Sequence, residues 1–391
     1  MKLLKLKKSE DRRLRAGHLW VYSNEVDTAQ TPLTGFKAGE LCRIEDARGK
    51  AVGVGYVNPH TLLSARLLSS NGEAKIDADW FARRIESALK LRERLYSKPF
   101  YRLIYGESDG LPGLVVDRYG DVLAAQIATA GMEVLKPVLI EALQQTLKPR
   151  GLWLGNDTAM RESEGLSQTA EAIGEVPDTV EIEEGGVRFA IPIKTGQKTG
   201  WFYDQRENRE RLSRYVQGAR VLDVFSYIGG WALRAAKFGA SSVTCVDSSA
   251  PALEAAQVNA KLNGVELETI KAQAQDALKS LRDQGRKFDV VIVDPPALIK
   301  RKKDQEAGAE HYARLNKLAM DLLAPEGILV SCSCSHHMEA EQLQRLLLRE
   351  SRSLNRRLQI LEQGGQGADH PVHPAIPETR YLKAFFCRVT Q

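Results

Sequence analysis

The sequence predicts an α/β protein whose C-terminal half forms a doubly wound parallel sheet, and two observations support this prediction. Three apolar runs, RVLDVF, FDVVIVD and GILVSCS, are separated by segments with helical spacing. Strands that are apolar throughout, rather than alternating, are typical of parallel sheets covered by helices on both faces. The length of 391 residues exceeds what one hydrophobic core usually organises, which predicts two or three domains.

The composition is that of a folded protein in water. Hydrophobic residues make up 43% of the chain and charged residues 27%, which are ordinary values for globular domains. The N-terminus lacks the apolar run of a secretory signal, and no stretch approaches the roughly 18 apolar residues of a membrane helix. The five cysteines are odd in number and irregularly spaced, which favours reduced thiols over disulfides. We therefore predict a cytoplasmic protein that works outside the membrane.

Residues 1–75 predict a small β-rich domain. ELCRIEDARGKAVGVGYV and TLLSARLLSS contain three β-type runs, the first two joined by the turn signal ARGK. Residues 1–15 carry seven Lys and Arg side chains against Glu10 and Asp11, a surplus equal to the net charge of +5 of the whole chain. Such a basic arm suits contacts with phosphate, although a solvated arm fits the pattern equally well.

Residues 76–194 predict a helix followed by a small α+β domain. The helix has apolar residues at helical spacing and Asp79 as its cap. After it, GLVVDRYGDVLAAQIA predicts two strands joined by a turn, MEVLKPVLIEALQQTL a helix, and TVEIEEGGVRFAIPI a hairpin. Nothing in this section has the surroundings of a catalytic nucleophile.

Acidic residues recur at the expected carboxyl ends of the C-terminal strands, where ligands of parallel sheets bind. In DVFSYIGG, Asp223 precedes a turn in which Gly229 and Gly230 let a ligand approach the start of a helix. Asp247 ends the next strand, 24 residues after Asp223, where a carboxylate can accept hydrogen bonds from ribose hydroxyls. Asp276 is placed to end a third strand, near an adenine. Together they predict a nucleoside cofactor, although the lack of G-x-G-x-x-G argues against a dinucleotide.

At these residues the chain resembles a known family. VLDVFSYIGGWAL, VDSS, QDAL and VDPPALIK look like the S-adenosylmethionine (SAM) site of class I methyltransferases. More closely, KTGWFYDQRENR, DVFSYIGG, DPP, SCS and ADHPVHPAIPETRYLKAFFCRV resemble the large-subunit rRNA methyltransferase I family, which forms 5-methylcytosine in 23S rRNA. GHLWVYSNEV and GESDGLPGLVVDRYGD are similar to the RNA-binding PUA domain and to the central domain of that family.

The resemblance implies three domains. These are a PUA-like β-barrel at residues 1–75, an α+β central domain with a linker helix at 76–194, and a Rossmann-like class I methyltransferase domain at 195–391. SAM is the implied cofactor, and the implied partner is 23S rRNA or a large-subunit assembly intermediate. No metal and no membrane are implied, and a homodimer stays open as the assembled state.

The implied site residues fall into two groups. Cys334, in the SCS turn, is implied as the nucleophile, with Asp294 as its catalytic partner. The residues implied in cofactor binding are Asp223, Phe225, Ser226, Tyr227, Gly229, Gly230, Asp247, Ser248, Asp276, Asp294, Gln205 and Arg209. From the residues themselves, FYDQRENR predicts a helix start with Asp204 as cap and Glu207 completing a capping box.

The thiols of GILVSCSCSHHM also allow other interpretations. Carbon 5 of cytosine is a poor nucleophile, so a thiolate must first add to carbon 6, and cysteine suits that step. Free cysteine otherwise behaves as a small buried hydrophobe, which is the favoured interpretation of Cys332. A zinc site made of Cys332, Cys334, His336 and His337 is disfavoured, because four ligands within six residues rarely close a tetrahedron.

Three alternative functions fit parts of the pattern. Methylation of a guanine amino group also uses an acidic or Asn residue before a proline-containing loop, but it needs no thiol. An RNA-binding assembly factor without activity would keep the fold, although the intact cofactor carboxylates argue against it. A small-molecule methyltransferase would leave the N-terminal domain and the basic arm without a role. The sequence therefore favours a SAM-dependent rRNA (cytosine-C5)-methyltransferase.

Overall fold

The computed structural model describes residues 1–157 and 159–391, and their packing divides the chain into two units. Unit 1 consists of residues 1–180, 192–201 and 368–379, and unit 2 of residues 181–191, 202–367 and 380–391. Unit 1 contains two separate sheets. The division into two units does not test the predicted domain boundaries near residues 75 and 194, which stay a prediction. Over the described residues, no helix combines the length and the apolar character that crossing a bilayer requires.

The first sheet of unit 1 is built from short strands near the N-terminus. The elements are β1 (Lys2–Lys5), α1 (Arg12–Arg15), β2 (Trp20–Tyr22), β3 (Glu40–Glu45), β4 (Ala51–Val57) and β5 (Leu63–Ser69). The strands pair in the order β1-β3-β4-β5-β2, and only β1 and β3 are parallel. Hydrogen bonds of 2.9 Å from Lys7 N to Glu25 O and from Asp27 N to Lys5 O join the two edges. The sheet therefore closes on itself, which removes the unpaired edges that an open sheet exposes.

The second sheet of unit 1 follows a long helix. The elements are α2 (Ala78–Leu95), β6 (Phe100–Tyr105), β7 (Leu114–Tyr119), β8 (Val122–Ile127), α3 (Ala130–Val134), α4 (Lys136–Leu147), β9 (Gly151–Asn156), α5 (Ala159–Ser163) and β10 (Thr169–Gly174). The strand order is β10-β9-β8-β7-β6, with β8 and β9 parallel. Buried residues of α2 and α4, including Phe81, Ile85 and Leu139, pack with those of the sheet in one core.

The cap of α2 corrects a prediction. The side chain of Asp77, not Asp79, accepts the backbone N–H of Trp80 at 3.0 Å. The reason is the backbone, since Asp77 is extended, as an N-cap residue must be, while Asp79 already lies in the first turn.

A hairpin of β11 (Thr179–Glu184) and β12 (Val187–Pro192) follows the second sheet in the chain. Gly185 and Gly186 form its turn with φ of 54° and 77°.

The large sheet of unit 2 has seven strands. Its elements are α6 (Arg206–Arg211), β13 (Arg220–Val224), α7 (Gly230–Lys237), β14 (Ser242–Asp247), α8 (Ala250–Asn263), β15 (Glu268–Lys271), α9 (Ala274–Asp283), β16 (Phe288–Val293), α10 (Gln305–Asp321), β17 (Leu323–Ser333), α11 (Ala340–Ser353), β18 (Arg357–Gly364) and β19 (Lys383–Thr390). The strand order is β15-β14-β13-β16-β17-β19-β18, and β19 runs antiparallel to both of its neighbours. This is the predicted doubly wound sheet, extended at one edge by two strands that were not predicted.

The strand order reverses at β13, and this creates a crevice. From β13 the chain proceeds to β14 and β15 on one side, then returns to β16 and β17 on the other. The helices on either side of such a reversal leave opposite faces of the sheet, so a gap opens at the carboxyl ends of the strands. The ends of β13, β14, β16 and β17 are therefore the place to look for a site.

Asp276 does not end a strand, contrary to prediction. The third strand, β15, ends at Lys271, and Asp276 lies in the first turn of α9 with an exposed side chain. The physical reason is the short pairing of β15, which has only four partners on β14, after which the chain turns into the helix. An acidic residue in a first helical turn also stabilises the helix through its dipole, which explains Asp276 without any ligand.

Asp223 lies inside β13 and is completely buried. One carboxylate oxygen accepts the backbone N–H of Ala232 in α7 at 3.1 Å. Burial raises the pKa of this carboxyl to about 8, and the nearby charge of Asp294 adds to the effect. The carboxyl is therefore protonated in the folded chain at a pH where it would be ionised in the unfolded chain.

We predict that this carboxyl makes folding pH-dependent. Its contribution to stability is complete below the unfolded pKa of about 4 and is lost as the pH rises through about 8, because only the folded state keeps the proton. Asp223→Asn cannot ionise, so its free energy of unfolding relative to the unchanged protein should rise between pH 5 and 8, by at most about 1.4 kcal/mol per pH unit. Urea unfolding at pH 5, 6.5 and 8 measures this, and a pH-independent difference would contradict it.

Candidate functional site

The loop after β13 has an unusual backbone. Phe225 and Tyr227 have φ of 68° and 49°, a left-handed conformation that is rare for residues with a side chain, and Gly229 follows with φ of 86°. The amides of Phe225 and Ser226 compensate part of this strain by donating to Val246 O at 2.9 and 3.1 Å. Strained backbone of this kind is concentrated at ligand sites, because surrounding contacts must hold it in place. The loop leads directly into α7, which begins at Gly230.

Asp247 ties this loop to the neighbouring strand. It is the last residue of β14, and its two carboxylate oxygens accept the amides of Tyr227 and Ser249, each at 2.9 Å. The carboxylate stays half-buried, whereas Ser248 beside it is exposed. Both therefore lie at the carboxyl edge of the sheet, where the sequence predicted them, with a charged oxygen pair at the mouth of the crevice.

Asp294 follows β16 on the other side of the crevice. Its carboxylate accepts Nε2 of Gln205 at 2.9 Å to both oxygens, and Nε1 of Trp231 at 3.0 Å. Burial raises the pKa of Asp294 to about 6, although the Trp231 hydrogen bond opposes this rise. A carboxyl with a pKa this close to neutrality can accept or hold a proton during a reaction.

The segment before α6 differs from the prediction. The helix begins at Arg206 with Gln205 as N-cap and no capping side chain, so the capping box of Asp204 and Glu207 is not formed. Asp204 instead lies in a short 3-10 turn, and its carboxylate accepts the Tyr381 hydroxyl, which comes from near the C-terminus. A side chain 177 positions away in the chain has therefore replaced the local cap.

Arg209 is held away from the crevice by another partner. Its guanidinium donates to both carboxylate oxygens of Glu184 at 2.7 and 2.8 Å and to Phe202 O at 2.9 Å. Both side chains are only 3% exposed. This bidentate buried pair fastens the β11–β12 hairpin to α6, so Arg209 supports the segment that carries Gln205. Asp223 is also not at the surface of the crevice, because its side chain is completely buried within β13, below the loop that follows this strand.

Cys334 follows β17 directly and stands beside Asp294. Ser331 of β17 pairs with Val293 of β16, so the two residues leave adjacent parallel strands at the same edge. Cys334 is half-buried, and its Sγ lies 3.7 Å from Pro295 O, the residue after Asp294. The other four cysteines are buried, and burial raises the pKa of the Cys332 thiol well above its usual value. Cys334 is therefore the one thiol of the five that faces the crevice.

A hydrogen-bond network holds the turn that contains Cys334. Ser333 Oγ donates to the Tyr312 hydroxyl at 3.0 Å, and the same hydroxyl lies 3.0 Å from Ser335 Oγ. Ser335 Oγ also accepts the amide of Ile299 at 3.0 Å. All three hydroxyl side chains are buried, so the residues on both sides of Cys334 are fixed to α10. Tyr312 was not predicted from the sequence, because nothing in a helical tyrosine 22 positions away points to this turn.

Lys383 was also missed. It begins β19, pairs with Ser333 of β17, and is 8% exposed. Its Nζ donates to Ser335 O at 2.6 Å and to Tyr381 O at 2.8 Å. Burial lowers the pKa of Lys383 to about 8, and the charge of Cys334 opposes this change. The available signal was a lysine at the start of the apolar strand LKAFFC, a position where an ammonium group is costly to bury.

His336 and His337, which follow the turn, contact each other edge to face, with ring centroids 5.2 Å apart and an angle of 61° between the ring planes. Both are half-buried. In the described part of the chain, no group of three or more His, Cys, Asp or Glu side chains is arranged to hold a metal ion.

Comparisons with known proteins agree with this architecture. A family described as S-adenosylmethionine-dependent methyltransferase matches residues 162–386, and a PUA-like domain family matches residues 4–70. Among curated proteins, the Ribosomal RNA large subunit methyltransferase I of Erwinia tasmaniensis is 38% identical, with 98% of each chain covered. That of Aliivibrio fischeri is also 38% identical, with the same coverage.

Solved structures show the same fold. A methyltransferase crystallised in complex with SAH superposes with a TM-score of 0.84 at 19% identity, covering 99% of this chain and 100% of the other. At this identity the similarity concerns the fold alone. The predicted α/β class, with a PUA-like N-terminal domain and a SAM-dependent methyltransferase fold, is confirmed. SAM is the cofactor, and the chain belongs to the ribosomal RNA large subunit methyltransferase I family.

Proposed function

We propose that this protein methylates carbon 5 of a cytosine in 23S rRNA, with Cys334 as the nucleophile. The observation that supports this most directly is the placement of one half-buried thiol beside a carboxyl of raised pKa, at the ends of adjacent strands. An amino-group methyltransferase needs no thiol at that position. The names of the curated relatives, which specify ribosomal RNA of the large subunit, support the RNA substrate.

The chemistry follows from the weak nucleophilicity of cytosine carbon 5. The Cys334 thiolate adds to carbon 6, and the new S–C bond pushes electrons into the ring so that carbon 5 becomes an enamine carbon. Carbon 5 then forms a bond to the electrophilic methyl group that bound SAM would supply, and the bond from that methyl group to the SAM sulfur breaks, which leaves S-adenosylhomocysteine (SAH). Loss of the carbon 5 proton to a base then restores the double bond, and the thiolate leaves from carbon 6. The enzyme therefore ends the cycle with Cys334 free again.

Asp294 is proposed to orient the base and to balance its charge. Thiolate addition places negative charge on the ring around N3, and a nearby protonated carboxyl or a hydrogen-bonded N3 proton would neutralise it. The pKa of Asp294, about 6, lets the group hold a proton at little cost near neutral pH. Gln205 and Trp231 keep its two oxygens in a fixed orientation. A hydrogen bond to the exocyclic amino group would also distinguish cytosine from uracil.

The cofactor residues are proposed on the fit of the crevice. Asp247 and Ser248 at the end of β14 present acceptors suited to ribose hydroxyls. The strained loop Phe225–Gly230 presents backbone at the start of α7, and a Cβ added to Gly229 would lie 3.2 Å from Leu233, so a side chain there would crowd the helix. Asp223 and Arg209 are proposed to support the cofactor site without reaching its surface. Asp223 binds the backbone of α7, and Arg209 holds the β11–β12 hairpin. Asp276, exposed on α9, is the least constrained of the proposed set.

The target cytosine must be accessible to the enzyme. A cytosine inside a duplex hides carbon 6, so the target must be single-stranded, flipped out, or met in a large-subunit assembly intermediate. The cytoplasm is the proposed location, because a protein that acts on ribosomal RNA would meet its substrate there.

The role of Cys334 as the nucleophile can be tested by removing its thiol. Cys334→Ala should lower the rate of methyl transfer to 23S rRNA lacking this modification by at least about 10³-fold, because the other four thiols are buried and cannot form the adduct. Cys387→Ala, at a buried cysteine of β19, is the matched control and should keep most of the activity. Transfer of labelled methyl, followed by mass spectrometry of the nucleosides, identifies 5-methylcytosine.

A covalent trap tests the same step independently. RNA containing 5-fluorocytosine should form a stable adduct with the unchanged enzyme and SAM, because the fluorine at carbon 5 cannot leave as a proton does. Cys334→Ala should form none. Undiminished methylation by Cys334→Ala would overturn the cytosine-C5 proposal.

The role of Asp247 in cofactor binding can be tested by removing its carboxylate. Asp247→Ala should weaken SAH binding about 10- to 100-fold, since it removes a charged acceptor and releases the Tyr227 amide. Asp289→Ala is the control, because Asp289 pairs with Arg220 at the opposite end of the strands. Isothermal titration calorimetry measures both proteins, and equal affinities would exclude Asp247 from the cofactor site.

A further inference from the structure

We propose that Lys383 acts through Cys334, by holding its sulfur as the thiolate, and so is a positioning residue for the nucleophile. This inference rests on the proposed function of Cys334. Lys383 belongs to β19, the antiparallel strand that the sequence did not predict, and it reaches the site from the side opposite to Asp294 and β16.

The contacts of Lys383 direct its ammonium group to the nucleophile turn. An ammonium group has three N–H donors. Two of them are taken by Ser335 O at 2.6 Å and Tyr381 O at 2.8 Å, and Ser335 is the residue directly after Cys334. The third donor is left for another acceptor in the same place. The register of β19 on β17, with Lys383 opposite Ser333, fixes this position in the backbone itself.

Lys383 is buried without a carboxylate partner in the described part of the chain. A buried ammonium is costly unless it is paired, and lysine at 8% exposure usually has a carboxylate partner. No salt bridge to Lys383 occurs among the described residues, whereas Arg92, Arg102 and Arg209 all have bidentate carboxylate partners. The charge of Cys334 is the largest one that favours the protonated form of Lys383, and one acceptor of Nζ is the carbonyl of Ser335, the residue directly after Cys334.

Several ionisable groups surround the turn that contains Cys334, and they differ in charge. Asp294 lies one residue before Pro295, whose carbonyl contacts Sγ, and as a carboxylate it disfavours a second negative charge. The Tyr312 hydroxyl, from α10, and the Cys332 thiol, from β17, are neutral near pH 7 and cannot offset it. The charge of Glu339, just before α11, favours the protonated form of Lys383. His336 and His337 are the other ionisable side chains that follow Cys334 closely in the chain. Lys383 is thus the cationic side chain whose contacts place it at the turn.

The proton has a defined destination in this arrangement. When the Lys383 amine is neutral, the thiol proton of Cys334 can pass to Nζ, so that the S–H bond breaks and an N–H bond forms. The pair then carries one negative and one positive charge with no change in total charge. A thiolate stabilised in this way is the nucleophile near neutral pH, where a free cysteine is mostly protonated.

The test measures the reactivity of Cys334 rather than methylation. The rate of alkylation of Cys334 by iodoacetamide, followed by peptide mass spectrometry from pH 5.5 to 10, reports the pH at which the thiolate forms. Cys334 can be followed selectively, because the other four cysteines are buried. Lys383→Met should move the midpoint to higher pH by about one unit, and so lower the rate at pH 7 about 10-fold. Lys383→Arg should keep the midpoint near that of the unchanged protein.

Two further variants separate charge from folding. Lys383→Gln is neutral but keeps a donor for the carbonyls, so it should shift the midpoint as Lys383→Met does, even if the Met variant is destabilised. Lys287→Met removes a lysine whose Nζ binds Asp321 O at the other end of the strands, and it should change nothing. Unchanged alkylation profiles in both neutral Lys383 variants would overturn the inference.

This result is independent of the proposed reaction. If Cys334→Ala still methylates rRNA, the proposed function fails while the alkylation profile stands. If the alkylation profile does not move but Cys334→Ala is inactive, the proposed function stands and the role of Lys383 fails.

Discussion

The pairing of β13 with both β14 and β16 is the constraint on which the rest of unit 2 depends. Because β13 is parallel to both neighbours, three carboxyl ends meet at one edge, and the reversal of the strand order opens the crevice between them. The strained loop, Asp247 and Asp294 are all consequences of this arrangement. Strand β17 adds Cys334 to the same edge through its pairing with β16.

Burial without full charge compensation sets the electrostatics of this edge. Asp223 and Asp294 have pKa values raised to about 8 and about 6, and the pKa of Lys383 is lowered to about 8, with burial as the largest cause in each case. Other buried charges are held in ion pairs, as in the Arg92–Asp109 and Arg209–Glu184 bridges. Groups whose pKa values are shifted toward neutrality by burial are typical of functional sites, which is why these three support the proposed site.

Local patterns predicted residues whose role depends on their own strand. Asp247 and Asp294 were located correctly because a residue at the end of an apolar run must lie at the sheet edge. Asp276 was misplaced, because β15 ends at Lys271 and the chain then turns into α9. The helix-start patterns also misassigned the caps at Asp79 and Asp204. Arg209 was expected at the cofactor, but its planar guanidinium found a bidentate partner in Glu184, 25 positions earlier.

The sequence by itself determined the doubly wound sheet and the acidic strand ends, because these follow from periodicity and residue type over a few neighbouring positions, and the family resemblance implied the role of Cys334 in the turn after the last of these strands. Only the tertiary structure decided which thiol is accessible, since the end of β17 lies between Cys332 and Cys334 and buries one of them. It alone brought Tyr312 and Lys383 to that turn, from positions 22 before and 49 after Cys334. Such contacts depend on strand order and register, which no local pattern encodes.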